Sequence, residues 1–223
     1  TITVNNVTPG VIAGDQAICS TGDPAAFTVS TAATGTGTLS YQWQSNTAGC
    51  ADTFNNIGGA TGATYDPPAI GSTTYYRRVV TSTENGVPCS AISNCLTITV
   101  NNINPGTIGG DQTVCNNGNP AAFTQSGATG SGTISYQWQS NTTGCGNAGD
   151  FADISGANSA AYDPGNLTVT TYYRRIATST VGGVPCSAVS NCVTVSVNNV
   201  NSGAVATPPA VCVRLDILAK RAD

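Results

Sequence analysis

Nine cysteines and no histidine set the chemistry open to this 223-residue chain. Without histidine, mixed cysteine–histidine zinc sites cannot form, and no CxxC pair supplies an all-cysteine zinc ribbon. The same absence excludes Ser-His-Asp and Cys-His nucleophiles and removes the commonest general base. A two-carboxylate glycosidase stays formally open. Yet Asp15 and Asp66 recur as Asp111 and Asp163 in a second stretch of similar sequence, mostly beside Gly or Pro, where turn and capping roles fit better. No GxGxxG or GxxxxGKS phosphate loop is present, and Gly35-Thr36-Gly37 and Gly130-Ser131-Gly132 precede strands rather than open helices. The linkers offer Asn and a lone Asp rather than the acidic cluster that calcium prefers. The expectation is a chain without enzymatic activity, metal or cofactor. Disulfides are the simplest use of its cysteines, and they imply an oxidising, extracellular location.

The cysteines sit in a repeat. SYQWQSNTAGC ends at Cys50 and SYQWQSNTTGC at Cys145; DQAIC ends at Cys19 and DQTVC at Cys115; GVPCSAISNC ends at Cys95 and GVPCSAVSNC at Cys192. Cys19 to Cys115 is 96 residues, Cys50 to Cys145 is 95, and Cys89 to Cys186 is 97. The period, about 97 residues, is that of one small domain. TITVNNV at the start matches TITVNNI at 97–103, so residues 1–4 read as the end of a preceding repeat. Residues 5–100 and 101–197 read as two domains, and 198–223 as the start of a third repeat plus a divergent tail, RLDILAKRAD. Four cysteines per repeat leave three pairings open. Cys212, aligned with Cys115, has no partner later in the tail and reads as a free thiol or as an intermolecular bridge.

Only 8% of residues are charged, and Thr, Ser, Asn and Gly fill the polar positions. Thr and β-branched residues favour strands, while Gly, Asn and Pro supply turns. The pattern alternates with period two and breaks every eight to twelve residues, which predicts an all-β fold of tandem sandwich domains. Strands are expected near 11–19, 25–30, 38–45, 54–57, 73–83 and 90–100, with Asn85-Gly86 and Gly182-Gly183 as hairpin turns. Leu39, Tyr41 and Trp43 share one face, so Trp43 and its counterpart Trp138 are expected core plugs, with Tyr41 and Tyr136 beside them. In TTYYRR one arginine must face inwards, where it needs an aromatic ring or a carboxylate; Asp66 and Asp163 are candidates. A net charge of -4 with a single lysine, Lys220, argues against nucleic-acid or anionic-membrane binding, and no apolar run is long enough to span a bilayer.

The YQW strands at Tyr41–Trp43 and Tyr136–Trp138, the ATYDP and AAYDP turns, the TTYYRR strands and the CSAISNCLTITV and CSAVSNCVTVSV ends resemble the immunoglobulin-like tandem repeats of very large surface proteins of Bacteroidetes-type bacteria. The resemblance covers residues 1 to about 212. It implies seven-stranded immunoglobulin-like sandwiches, export to the cell surface, and roles in adhesion, gliding or display. It also implies pairing of Cys50 with Cys95 and Cys19 with Cys89, repeated as Cys145 with Cys192 and Cys115 with Cys186. Antibody domains carry cysteines mid-strand around the tryptophan; this chain does not.

Two roles are therefore expected to compete. One is a structural or adhesive segment of an extracellular fibre or adhesin stalk, whose partners are neighbouring repeats or copies of itself. The other is a binding module for surface glycans or for host or bacterial surface proteins, using the divergent loops ADTFNNIGGATGATYDP and GNAGDFADISGANSAAYDP.

Overall fold

The computed structural model describes residues 4–199 and shows two immunoglobulin-like β-sandwiches in tandem. The first repeat contains β1 (Val7–Thr8), β2 (Val11–Ala13), β3 (Gln16–Cys19), β4 (Thr28–Thr31) and β5 (Thr34–Gly35). It continues with β6 (Thr38–Asn46), β7 (Asn55–Asn56), β8 (Thr74–Glu84), β9 (Val87–Ile92) and β10 (Leu96–Asn101). The second repeats this order as β11 (Ile103–Asn104), β12 (Ile108–Gly109), β13 (Gln112–Cys115), β14 (Thr124–Gln125) and β15 (Thr129–Gly130). Its larger strands are β16 (Thr133–Asn141), β17 (Ala152–Asp153), β18 (Thr171–Val181), β19 (Val184–Val189) and β20 (Val193–Asn198).

In each repeat one sheet carries most of the backbone pairing. Its order is β3-β10-β8-β6-β7 in the first repeat, with β9 also on β8, and β13-β20-β18-β16-β17 in the second, with β19 on β18. The ribbons β1–β5 and β2–β4 close the other side, where Ile12 of β2 enters the same core as Trp43 of β6. Along β8, alternation turns Thr74, Tyr76, Arg78, Val80 and Ser82 inwards. Trp43 is fully buried, stacks on Phe27 at a centroid distance of 5.4 Å and donates its indole N–H to Gly62 O at 3.0 Å. Trp138 is held in the same way by Phe123 and Ser159 O. Burial also raises the pKa of the neighbouring Tyr76 phenol above its ordinary value, and that of Tyr173 to about 12.

Two expected strands are each divided in two. The run 11–19 breaks at Gly14-Asp15: Gly14 adopts φ 137°, and the Asp15 carboxylate accepts the Thr97 N–H at 2.6 Å. Asp111 does the same for Thr194 at 2.7 Å, so these recurrent aspartates cap backbone. The run 90–100 becomes β9 and β10, paired with opposite halves of β8. Between them Asn94 exchanges two hydrogen bonds with the Ile12 backbone at 2.9 Å each, pinning the β2 ribbon to the sheet. At the hairpin tips Asn85 and Gly86 take φ 50° and 78°, and Gly182 and Gly183 take 56° and 81°, as a two-residue type I′ turn requires.

Candidate functional site at the repeat junction

Among the described residues, no group of three or more His, Cys, Asp or Glu side chains gathers closely enough to hold a metal ion. No described helix is long and apolar enough to cross a membrane. What the cysteines build is covalent architecture.

Cys50 is bonded to Cys95, and Cys145 to Cys192, each tying the loop after the tryptophan strand to the start of the last strand. The other expected bonds are replaced. Cys19 is joined not to Cys89 but to Cys186 of the second repeat, with a Cα separation of 5.5 Å, and Cys115 is not joined to Cys186. Strand direction gives the reason. Cys19 lies level with Asn101 at the linker end of the sheet, where β10 has run three residues past the Ile98–Thr74 pair. Cys89 lies opposite Ser82, eight residues along β8 from Thr74 in the other direction. At about 3.3 Å per residue those levels are roughly 35 Å apart, whereas a disulfide needs Cα atoms within about 7 Å. The GVPC cysteine of one repeat therefore reaches only the repeat before it. Cys212 and the tail lie outside the described residues.

A second contact accompanies the staple. Asn101 ends β10 and is fully buried, yet its side chain belongs to the next repeat. Its amide donates to Ser179 O at 2.7 Å and Val184 O at 3.1 Å, and its carbonyl accepts the Ser179 hydroxyl at 2.7 Å. Ser131 then clamps the following residue: its hydroxyl accepts the Asn102 N–H, and its own N–H donates to Asn102 O, both at 3.0 Å. With Ile103 already in β11, no slack separates the two sandwiches. Beside the staple lies a cleft of about 300 Å³ lined by Cys19, Asn101, Ile103, Cys186 and Ala188.

The inward arginines meet no carboxylate, so Asp66 and Asp163 are not their partners. Arg78 is 1% exposed and lies 5.0 Å from the Tyr41 ring centre and 5.9 Å from that of Trp43. It donates to Pro9 O at 2.9 Å and to Ala63 O, while its Nε has no partner. Arg175 repeats the arrangement over Tyr136 and Trp138, donating to Pro105 O, Ser126 O, Ala160 O and Gln125 Oε1. Burial lowers both guanidinium pKa values from the arginine norm, and the facing tyrosines oppose that shift. Tyr41 and Tyr136 are half-buried lids on these cations rather than core plugs. Arg77 and Arg174 take the other face, lying 4.2 and 4.1 Å over Phe54 and Phe151.

Sequence reasoning missed the inter-repeat bond and Asn101. The signal was available: Asn follows each TV or SV ending at the same offset as Cys19 and Cys115, but only the parallel β3–β10 pairing brings it level with the cysteine.

No curated protein matches this chain. Among solved structures, it resembles three N-terminal domains of the bacteriophage RB49 highly immunogenic outer capsid protein (12% identity, TM-score 0.45), covering 89% of this chain and 70% of that one. Extracellular domains 3–5 of Drosophila OTK match at 16% identity and TM-score 0.41, covering 88% and 63%. Immunoglobulin domains 1–4 of Sidekick-1 match at 10% identity and TM-score 0.41, covering 87% and 49%. A family model described as a domain of unknown function, DUF8696, matches residues 8–102 and again 104–199, so the chain belongs to that family and carries two tandem copies of its domain.

Proposed function

We propose that this chain is a non-catalytic structural and adhesive repeat segment of a bacterial extracellular fibre or surface adhesin stalk, in which stapled sandwiches act as stiff spacers. The observation that carries this reading is the junction. A covalent bond between Cys19 and Cys186, a buried Asn101 serving both repeats and a clamped Asn102 all restrict rotation between domains. Domains that merely follow one another in a chain are expected to move relative to each other, because interfaces within chains resemble transient ones. Three disulfides suit an oxidising extracellular setting, and the resemblance of the YQW and TTYYRR motifs to Bacteroidetes-type surface repeats supports the bacterial surface.

A glycan- or protein-binding module is the second reading. It draws on the loop after β16, where the second repeat adds residues and forms an exposed 3-10 turn at Ala148–Asp150. Such a role would show as binding that moves with this loop when the two repeats exchange it.

Small-angle X-ray scattering tests the spacer directly. The oxidised chain is expected to scatter as a single elongated particle, fitted with one narrow distribution of the separation between its two sandwiches. The paired substitution Cys19→Ser with Cys186→Ser broadens that distribution while both sandwiches stay folded. A broad distribution from the oxidised parent chain would overturn the spacer reading.

A further inference from the structure

Cys89 and Cys115 are the two unpaired cysteines among the described residues, the first half-buried and the second exposed. Each is the counterpart of one half of the observed staple. Cys115 ends β13 level with Asn198 of β20, as Cys19 ends β3 level with Asn101 of β10. Cys89 pairs with Ser82 in the β8–β9 hairpin, as Cys186 pairs with Ser179 in the β18–β19 hairpin.

The surroundings of Cys89 match as well. Asn5 donates to Ser82 O and Val87 O at 2.8 Å and accepts the Ser82 hydroxyl at 2.8 Å, the three bonds that Asn101 makes one repeat later. The strand-ending asparagine is therefore already seated in the first repeat, and the cysteine beside it is open on the side from which Cys19 approaches Cys186. What the junction covers in the second repeat is uncovered in the first: Cys186 is 3% exposed, and Val87, the counterpart of the partly covered Val184, is 59% exposed. The hairpin tip also fits. A Cβ placed on Gly182 would meet the Ala17 Cβ at 3.7 Å, an ordinary contact, so a Cβ such as that of Asn85 at the equivalent place is accommodated.

We propose that Cys89 and Cys115 are the open halves of this same staple. Cys89 takes the DQxxC cysteine of a preceding repeat, and Cys115 takes the GVPC cysteine of a following one. Every junction in an array of these repeats is then closed by one inter-repeat bond. The inference rests on the spacer reading and adds its partner, a further copy of the repeat joined in the same register. The bond forms by exchange with a small disulfide such as oxidised glutathione. One cysteine thiolate attacks it and releases a thiol. The second thiolate then attacks the mixed disulfide and releases the other thiol, so two cysteines are oxidised and one small disulfide is reduced.

The test is a tandem chain in which residues 1–198 of one copy run directly into residues 6–223 of a second, with Cys212→Ser in place. Exposed Val87→Ile in the first copy and exposed Thr113→Ser in the second make the outer Cys89 and Cys115 peptides differ in mass from the inner ones. The Asn198–Asn6 join reproduces Asn101–Asn102. After refolding in a glutathione redox buffer, alkylation and non-reducing peptide mapping should find Cys115 of the first copy bonded to Cys89 of the second. The outer Cys89 and outer Cys115 should be alkylated, and each copy should hold its own Cys19–Cys186 bond. Inner cysteines alkylated as fully as the outer ones, with Cys19–Cys186 formed in both copies, would overturn the inference and leave the spacer standing. Loss of Cys19–Cys186 as well would overturn both.

Discussion

Arg78 lies at the centre of its repeat, 1% exposed, without an acidic partner. A lone buried guanidinium is costly unless its hydrogens and charge are met; here two backbone carbonyls accept from its terminal nitrogens and two aromatic faces meet its charge, leaving Nε alone without a partner. Pro9 O belongs to the segment between β1 and β2 and Ala63 O to the loop before β8, so one side chain ties the closing ribbon and a long loop to the main sheet. Replacing it with methionine keeps the bulk and the apolar stem but leaves those carbonyls without donors, at about 1–3 kcal/mol each. Arg78→Met is therefore expected to destabilise the first repeat by roughly 3 kcal/mol, read as a lower denaturant midpoint in urea unfolding followed by Trp43 fluorescence in a Trp138→Phe background. Lysine at the same place is expected to restore little, because a single ammonium cannot span two carbonyls and stack on a ring. A methionine variant as stable as the parent would show that the guanidinium is tolerated rather than used.

At the scale of elements, the link between β6 and the start of β10 is the loop closed by Cys50 and Cys95, 45 residues apart in sequence. Constraining a loop of that length in the unfolded chain contributes about 4 kcal/mol in the chain-entropy account. The double substitution Cys50→Ser with Cys95→Ser is expected to lower the first repeat's melting temperature by more than ten degrees, measured by calorimetry, while the second repeat's transition stays in place. The elements themselves were largely legible. Period-two alternation located β6, β8, β16 and β18, and the Asn-Gly and Gly-Gly pairs located the hairpin tips. The breaks at Gly14-Asp15 and at Ser93–Cys95 were not, because Asp15 and Asn94 act on backbone more than eighty residues away in sequence. That one of Arg77 and Arg78 needed an inward partner was legible, but which one was not, and the carbonyl partners of Arg78 come from segments with no side-chain signal.

For the whole molecule, what mattered was which end of each sandwich a cysteine occupies. Composition and repeat spacing led to tandem β-sandwiches, and the resemblance implied that they are immunoglobulin-like. The pairing implied by the resemblance kept every bond inside one repeat. The parallel β3–β10 pairing sends Cys19 to the linker end and the hairpin sends Cys89 to the opposite end, so the bond crosses to the next repeat instead. Two domains become one covalently closed unit, and the proposed spacer role rests on that closure.

The measurement closest to this claim is non-reducing peptide mapping of the oxidised 223-residue chain after digestion with chymotrypsin and an aspartate-specific protease. These cleavages separate Cys19, Cys89 and Cys186 onto different peptides. The inter-repeat bond predicts a peptide holding Cys19 linked to one holding Cys186, with Cys89 recovered as an alkylated thiol. A Cys19–Cys89 linkage, or Cys19 recovered as a thiol while Cys50–Cys95 and Cys145–Cys192 are intact, would contradict it.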